Sequence, residues 1–162
     1  MTTDPSPETI LDLCQAAGLK IATAESCTGG MVASALTAIP GSSAVVLGGI
    51  VAYANSAKRS LLQVSDDTLR AHGAVSEPCA TEMAEGALAA YGADIAVSIT
   101  GIAGPGGSEH KPEGRVCFGL ARPGHATVHE TREFGPMGRD AVRAASRDHA
   151  LALLLRAVQD GA

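Results

Sequence analysis

The sequence predicts an α/β fold, a three-layer α/β/α sandwich with a mixed central sheet. Helical periodicity alternates with short apolar segments through the first hundred residues, an order typical of helices packed on a sheet. Segments 45–53 and 94–100 are almost continuously apolar, as strands covered on both faces are. The last two predicted strands form an antiparallel pair. A length of 162 residues indicates a single domain over residues 1–162.

The first part of the chain is predicted to contain three helices and two strands. Pro5–Gly18 carries apolar residues on one helical face and ends at a glycine that can cap it. Lys20–Thr23 is a short apolar strand, and Met31–Ala38 returns to helical spacing before a Pro-Gly turn. Val45–Tyr53 is the second strand, which we expect to be covered on both faces, and Asn55–Val64 is a short helix.

The second part begins with a further helical region that starts at Ser65 or Asp66 and runs through His72. Ser76 is a typical N-cap for a helix over Glu77–Tyr91, which has clear 3.6-residue periodicity. Three strands, a glycine-rich loop and a closing helix complete the chain. They are strand Asp94–Thr100, loop Gly101–Gly114, strand Arg115–Ala121, edge strand Thr127–Phe134 and helix Arg139–Val158.

Composition excludes several classes of function. The net charge is −5, and the aromatic residues are two Tyr and two Phe with no Trp, so a nucleic-acid-binding surface is not expected. No apolar segment reaches membrane-spanning length, and the first residues carry no targeting pattern. The four cysteines are widely spaced and are expected to be reduced thiols in a cytoplasmic protein.

The first candidate site is segment 23–30, Thr-Ala-Glu-Ser-Cys-Thr-Gly-Gly, where a strand turns into a helix. The backbone N–H groups of a helix start favour negative charge, and Ser26 and Thr28 place hydroxyls there. Gly29 and Gly30 would let a ligand approach the backbone. The alternative is an ordinary helix cap of serine, threonine and glycine.

The second candidate site follows the next strand, where Lys58 lies five residues after Tyr53. A lysine beside a serine can act as a general base if its pKa falls from about 10.4 to about 7.5, which corresponds to roughly 4 kcal/mol. Such a pair needs no histidine. The alternatives are a solvated helix lysine and a tyrosine at the rim of the core.

The third candidate site is segment 99–107, an apolar strand end followed by Thr100 and several glycines. The N–H groups of Gly101, Gly104 and Gly106 could form an anion nest or an oxyanion hole, although a mobile loop has the same composition. The segment matches neither a Walker loop nor GxGxxG. Basic side chains that could add charge for a phosphate are Lys111, Arg115, Arg139 and Arg143.

Two other chemistries are weaker candidates. Cys27 is a rival nucleophile beside Ser26, because a position at a helix start could lower its pKa. His125 and His129 have a weak ligand-like spacing on a strand-like segment, where both side chains would lie on one face. We expect neither a metal nor another cofactor.

Several motifs, in order and at matching spacing from about residue 8 to 158, resemble the CinA C-terminal domain family. They are Thr-Ala-Glu-Ser-Cys-Thr-Gly-Gly at 23–30, Pro-Gly-Ser-Ser at 40–43, Gly-Gly-Ile-Val-Ala-Tyr-x-Asn-x-x-Lys at 48–58, Gly-Ala-Val-Ser at 73–76, Thr-Gly-Ile-Ala-Gly-Pro at 100–105 and Lys-Pro-x-Gly at 111–114. The resemblance implies a three-layer domain that forms homo-oligomers, and a stand-alone amidase that converts nicotinamide mononucleotide to nicotinate mononucleotide and ammonia.

The resemblance also implies roles for individual residues. Ser26 matches the nucleophile of the family, Lys58 its lysine, Tyr53 its supporting tyrosine and Thr100 its threonine. The arginine of the family near the last helix corresponds to Arg139 or Arg143. Tyr53 would orient Lys58 or relay its proton. The alternatives are a non-catalytic nucleotide-binding module that acts through a partner and an amidase for another small amide.

The chain departs from the family pattern at three places. The family usually has Gly-Asp-Arg before the last helix, whereas segment 135–140 reads Gly-Pro-Met-Gly-Arg-Asp, without that Asp and with one residue more. The loop after Pro105 is one residue shorter than usual. Glu113 stands where an apolar residue is common.

Overall fold

The computed structural model describes residues 2–108 and 110–161. The α-helices in these residues are Pro7–Ala17 (α1), Met31–Thr37 (α2), Asn55–Leu62 (α3), Asp66–His72 (α4), Glu77–Tyr91 (α5) and Arg139–Gln159 (α6). The β-strands are Ile21–Glu25 (β1), Val46–Val51 (β2), Ile95–Gly101 (β3), Arg115–Ala121 (β4) and Val128–Glu133 (β5). The α/β class is confirmed, and the predicted ends of these elements lie close to the observed ones.

The five strands form one mixed sheet in the order β2-β1-β3-β4-β5. β1 pairs in parallel with both β2 and β3, whereas β4 pairs antiparallel with β3 and β5. The predicted antiparallel pair at the end of the chain is therefore confirmed. Because β1, β2 and β3 are parallel, their carboxyl ends lie at one edge of the sheet, where ligand sites of α/β proteins are found.

Helices cover both faces of the sheet. α1, α2 and α6 pack together on one face, and α5 covers the other face with α3 and α4 packed against it. Small residues let α5 approach closely: a Cβ at Gly119 would lie 2.5 Å from the Ala80 carbonyl oxygen. The core consists mainly of Ala, Val, Ile and Leu, as the scarcity of aromatic residues requires.

The prediction that the second strand is covered on both faces is wrong. β2 is an edge strand in which half-buried and exposed residues alternate, and Leu47 and Val51 are 43% and 50% exposed. A continuous apolar segment does not distinguish a covered strand from an edge strand with apolar side chains on its outer face. β5, at the opposite edge, is mostly exposed and charged, as predicted.

Across the described residues, none of the helices combines the length and the apolar composition needed to cross a bilayer.

Candidate active site

Strand alternation places Glu25 and Ser26 on opposite sides of the sheet. Successive side chains of a strand point to opposite faces, so the last residue of β1 and the residue after it diverge. Glu25 turns towards α2, while Ser26 turns towards α3. Ser26 remains only 7% exposed.

Lys58 lies on the first turn of α3 and meets Ser26. Its side chain is 2% exposed, and its Nζ donates to the Ser26 Oγ at 3.2 Å and to the Tyr53 carbonyl oxygen at 3.0 Å. The structure therefore brings together the predicted serine and lysine.

Tyr53 contributes its backbone, rather than its phenol, to the lysine. Its carbonyl accepts from Lys58, whereas its hydroxyl accepts from the Arg139 Nη2 at 3.3 Å. The side chain is 65% exposed. The expectation that Tyr53 orients Lys58 thus applies to the carbonyl, and the hydroxyl belongs to a separate contact with α6.

Ser26 and Lys58 line a cavity of about 180 Å³ at the carboxyl edge of the parallel strands. Thr100 forms part of the wall, and its hydroxyl donates to the Ala74 carbonyl at 2.9 Å. The candidate residues in the lining are Ser26, Cys27, Tyr53, Lys58, Thr100, Gly101 and Arg139. The remaining lining residues are Asn55, Ala74, Val75, Ile102, Ala103 and Ser108.

Two polar lining residues were missed by the sequence analysis. Asn55 lies between Tyr53 and Lys58, and Ser108 follows the glycine-rich segment. The signal for Asn55 was its place inside a motif already singled out, directly after a strand end. Ser108 had no distinguishing signal, because serine is common in loops.

The N-terminus of α2 is occupied by the Glu25 carboxylate. Glu25 Oε1 accepts from the Gly30 N–H at 3.2 Å, the Val32 N–H at 3.0 Å and the Thr28 hydroxyl at 2.6 Å. Its Oε2 accepts from the Ala33 N–H at 3.0 Å. The expectation of a ligand at this helix start is corrected: an internal anion already satisfies these donors, and the buried Thr28 hydroxyl serves Glu25.

The structure does not bring Gly29, Gly30 and Arg143 into the cavity. The Gly29 N–H donates to the Ser26 carbonyl at 3.1 Å, and both glycines line a groove between α2 and α6 instead. Arg143 Nε donates to the Cys27 carbonyl oxygen at 3.0 Å. Arg143 therefore stabilises the turn after β1 through its backbone and does not line the cavity.

Cys27 is a protonated thiol at neutral pH. Burial raises the pKa of Cys27 to about 12, and the effects of Arg143 and Lys58, which lower it, are smaller. The prediction that its position near a helix start lowers this pKa is wrong, because desolvation of the thiolate dominates.

The glycine-rich loop supports the cavity mouth through two contacts. Arg139 Nη1 donates to the Gly104 carbonyl oxygen at 2.7 Å, and the Gly106 N–H donates to Glu113 Oε1 at 2.6 Å. Gly104 and Gly106 therefore do not line the cavity, whereas Gly101 at the end of β3 does. The predicted anion nest is corrected at Gly106, since an internal carboxylate accepts from its N–H.

The two histidines with ligand-like spacing do not form a pair. His125 lies in the turn before β5, where its Nδ1 contacts the Pro123 carbonyl at 3.0 Å. His129 Nδ1 instead contacts Glu77 Oε1 at 2.6 Å. Residues 2–108 and 110–161 contain no group of three His, Cys, Asp or Glu side chains placed to hold a metal.

The cavity has the parts that acyl transfer needs. A hydroxyl lies within hydrogen-bond distance of a buried amine, and the amine is held by a backbone carbonyl. Nucleophile and base in such contact are the signature of covalent catalysis, and Ser-Lys pairs are one known variant. An arginine at the mouth adds positive charge beside the opening.

Solved structures share this architecture. The competence/damage inducible protein CihA from Agrobacterium tumefaciens superposes with a TM-score of 0.90 at 43% identity, covering 98% of each chain. The Competence-Damaged Protein (CinA) superfamily protein from Klebsiella pneumoniae has a TM-score of 0.91 at 37% identity, covering 99% of each chain.

Sequence comparison gives the same relationship. A CinA-like protein of Mycobacterium sp. (strain JLS) is 55% identical over 146 residues, which are 90% of this chain and 34% of that protein. A CinA-like protein of Chloroherpeton thalassium is 59% identical over 122 residues, 74% of this chain and 29% of that protein. The chain thus spans about a third of the length of these curated relatives. The model of the CinA C-terminal domain matches residues 3–158, and the chain therefore belongs to this family.

Proposed function

We propose that this chain hydrolyses the carboxamide of nicotinamide mononucleotide, giving nicotinate mononucleotide and ammonia. The observation that carries the proposal is the buried contact between the Ser26 hydroxyl and the Lys58 amine inside a cavity. The resemblance to the amidases of the family supports the choice of substrate.

In the proposed mechanism, the Ser26 Oγ attacks the carboxamide carbon while Lys58 takes the hydroxyl proton. The tetrahedral intermediate then collapses, and Lys58 returns the proton to the departing nitrogen, which leaves as ammonia. Water next attacks the acyl ester, with Lys58 again as base, and releases the carboxylate and the free hydroxyl. The Tyr53 carbonyl holds the amine in place during both steps.

The turn after β1 offers donors for the oxyanion. The Gly29 and Gly30 N–H groups are already used by Ser26 and Glu25. The amides of Cys27 and Thr28 donate to no backbone carbonyl or side-chain oxygen in the described part of the chain. We assign the oxyanion to the Cys27 N–H, since Cys27 lines the cavity and the amide after a nucleophile commonly serves this purpose at strand–helix turns.

The cavity is too small to enclose the whole nucleotide. A volume of about 180 Å³ is smaller than the roughly 300–1,000 Å³ of sites that enclose a whole drug-sized ligand. The pyridine carboxamide would therefore enter, between Ser26 and the wall formed by Thr100 and Gly101. The ribose phosphate would remain at the mouth, where Arg139 and Tyr53 lie.

Three further expectations belong to the same proposal. The mechanism uses only side chains and amides of the protein, so no metal or other cofactor takes part. We place the reaction in the cytoplasm, in pyridine nucleotide recycling, without a nucleic-acid or membrane partner. We also propose a homo-oligomer.

The test is conversion of nicotinamide mononucleotide by the purified chain, followed by mass spectrometry of nicotinate mononucleotide and by ammonia release. We expect one ammonia per nucleotide, unchanged by a chelator. Binding without ammonia would instead indicate a non-catalytic nucleotide-binding module, and loss of activity with chelator would contradict the metal-free mechanism. A panel of small amides would reveal a different substrate.

A further inference from the structure

We propose that Glu113 is a positioning residue that ties the glycine-rich loop to the start of α6 and so holds Arg139 across the cavity mouth. This inference rests on the proposed function in one respect, the assignment of Arg139 to the nucleotide. We call the link that the Glu113 carboxylate makes between the Gly106 and Gly138 amides the tether, and this link does not depend on the substrate.

Each carboxylate oxygen of Glu113 accepts a hydrogen bond from a different segment of the chain. Oε1 accepts from the Gly106 N–H at 2.6 Å, and Oε2 accepts from the Gly138 N–H at 3.2 Å. Gly106 lies in the loop after β3, and Gly138 is the N-cap residue of α6. One half-buried side chain thus joins a loop residue to a helix N-cap that lies far from it in the sequence.

The charge of Glu113 suits this position. α6 is 21 residues long, and its N-cap residue makes no side-chain cap bond. A helix start of this kind favours a negative group, because the helix dipole and the unpaired N–H groups point at it. Glu113 supplies that group from a distant segment. Glu113 accepts from the N-cap N–H of α6, while the Arg139 guanidinium lines the cavity at its mouth.

Glu113 also packs against the loop residue that accepts from Arg139. A Cβ at Gly104 would lie 2.6 Å from the Glu113 carboxyl carbon. Arg139 follows Gly138 directly in the chain and donates to the Gly104 carbonyl at 2.7 Å. Glu113 thus contacts the chain neighbour of Arg139 and one of the two acceptors of its guanidinium, so loss of the carboxylate would weaken the hold on the guanidinium.

A double-mutant cycle tests the inference. The variants are Glu113→Ala, Glu113→Gln, Arg139→Ala and the Glu113→Ala/Arg139→Ala pair. The matched control is Glu85→Ala, which removes a glutamate that joins α5 to Thr127 away from the cavity. Each variant is checked for its circular dichroism spectrum and Tm, and the kinetics of nicotinamide mononucleotide hydrolysis are then measured.

We expect Glu113→Ala to raise KM about tenfold with kcat changed less than about twofold, because it acts on binding through Arg139. Glu113→Gln should have a smaller effect, since the amide keeps one acceptor oxygen. In the Arg139→Ala background, Glu113→Ala should change KM less than about twofold. An unchanged KM in Glu113→Ala, or a full additive effect in the pair, would overturn the inference.

Hydrogen–deuterium exchange provides a readout that needs no turnover. Peptides that contain Gly106 and Gly138 should exchange faster in Glu113→Ala than in the wild type. In the control Glu85→Ala, the same peptides should exchange at the wild-type rate. If the wild type releases no ammonia, the proposed function fails, yet this measurement still decides the tether. Unchanged exchange at both glycines would refute the tether even in an active enzyme.

Discussion

The Nζ of Lys58 lies 3.2 Å from the Oγ of Ser26, although the two residues are 32 positions apart. Ser26 follows β1, and Lys58 lies on the helix after β2, the parallel neighbour of β1. Parallel neighbours end at the same sheet edge, so the residues just after them are brought side by side. The pairing of these two strands therefore creates the proposed catalytic pair.

Replacement of Lys58 by methionine should abolish turnover. Methionine keeps an unbranched side chain in the buried position but cannot accept a proton, and general bases contribute about 10²–10⁴-fold to rates. Arginine at this position should be equally inactive, because its guanidinium stays protonated. Steady-state ammonia release measures both, with Arg59→Ala on the same helix as control. A Lys58→Met enzyme with more than about a tenth of wild-type kcat would exclude Lys58 as the base.

Cys27→Ala should keep kcat within about threefold of the wild type, the size expected for a packing change alone. Burial raises the pKa of this thiol to about 12, so the thiolate needed for attack is scarce at pH 8. The variant retains the amide that we assign to the oxyanion. Kinetics at pH 8 measure the change, and a loss of a hundredfold or more would indicate a cysteine nucleophile.

Arg139 and Arg143, both in α6, should differ in their kinetic effects. Arg139→Ala should raise KM about tenfold with kcat nearly unchanged, since Arg139 lies at the mouth. Arg143→Ala should instead lower kcat, because Arg143 braces the Cys27 carbonyl behind the nucleophile. Nicotinamide riboside lacks the phosphate, and Arg139→Ala should leave its KM unchanged. An equal loss with both substrates would contradict a phosphate contact.

Glu25→Gln should destabilise the fold by about 1–3 kcal/mol, the range for buried donors that lose their acceptor. Glutamine has one acceptor oxygen in place of two, and its NH₂ would face the N–H of Ala33 or of Gly30 and Val32. Urea unfolding measures the free energy of unfolding. Glu85→Gln, at an exposed glutamate, should change it less than about 0.5 kcal/mol. An equally small change in Glu25→Gln would show that the cap is energetically unimportant.

The sequence predicted the fold well where local signals were strong. Ser76 accepts from the Cys79 N–H at the start of α5, and Gly18 caps α1 in a left-handed conformation, both as expected from residue type. The exposure of Leu47 and Val51 could not be predicted, because it depends on which strand lies at the sheet edge. Edge position follows from the strand order, which periodicity does not encode.

The site was predicted less completely. Ser26 and Lys58 became candidates because both follow strand ends, and the resemblance to the family implied their roles as nucleophile and lysine. The structure places them together. The expected use of helix and loop N–H groups failed at Gly30 and Gly106, because two carboxylates of the chain itself accept from them. The sequence spacing of Glu25 and Glu113 does not predict these hydrogen bonds, because only the tertiary structure brings each carboxylate to its N–H donors.

Whether Ser26 is the nucleophile is tested most directly by measuring nicotinate mononucleotide formed by Ser26→Ala and by the wild type with mass spectrometry. The circular dichroism spectra and Tm of both proteins are compared first to check that the variant folds. We expect them to match, because loss of the buried hydroxyl leaves only a small space. We expect product from the wild type and a rate at least about 10³-fold lower from the variant, since a missing nucleophile removes the covalent route. Turnover by Ser26→Ala at the wild-type rate would contradict the assignment of Ser26 as the nucleophile.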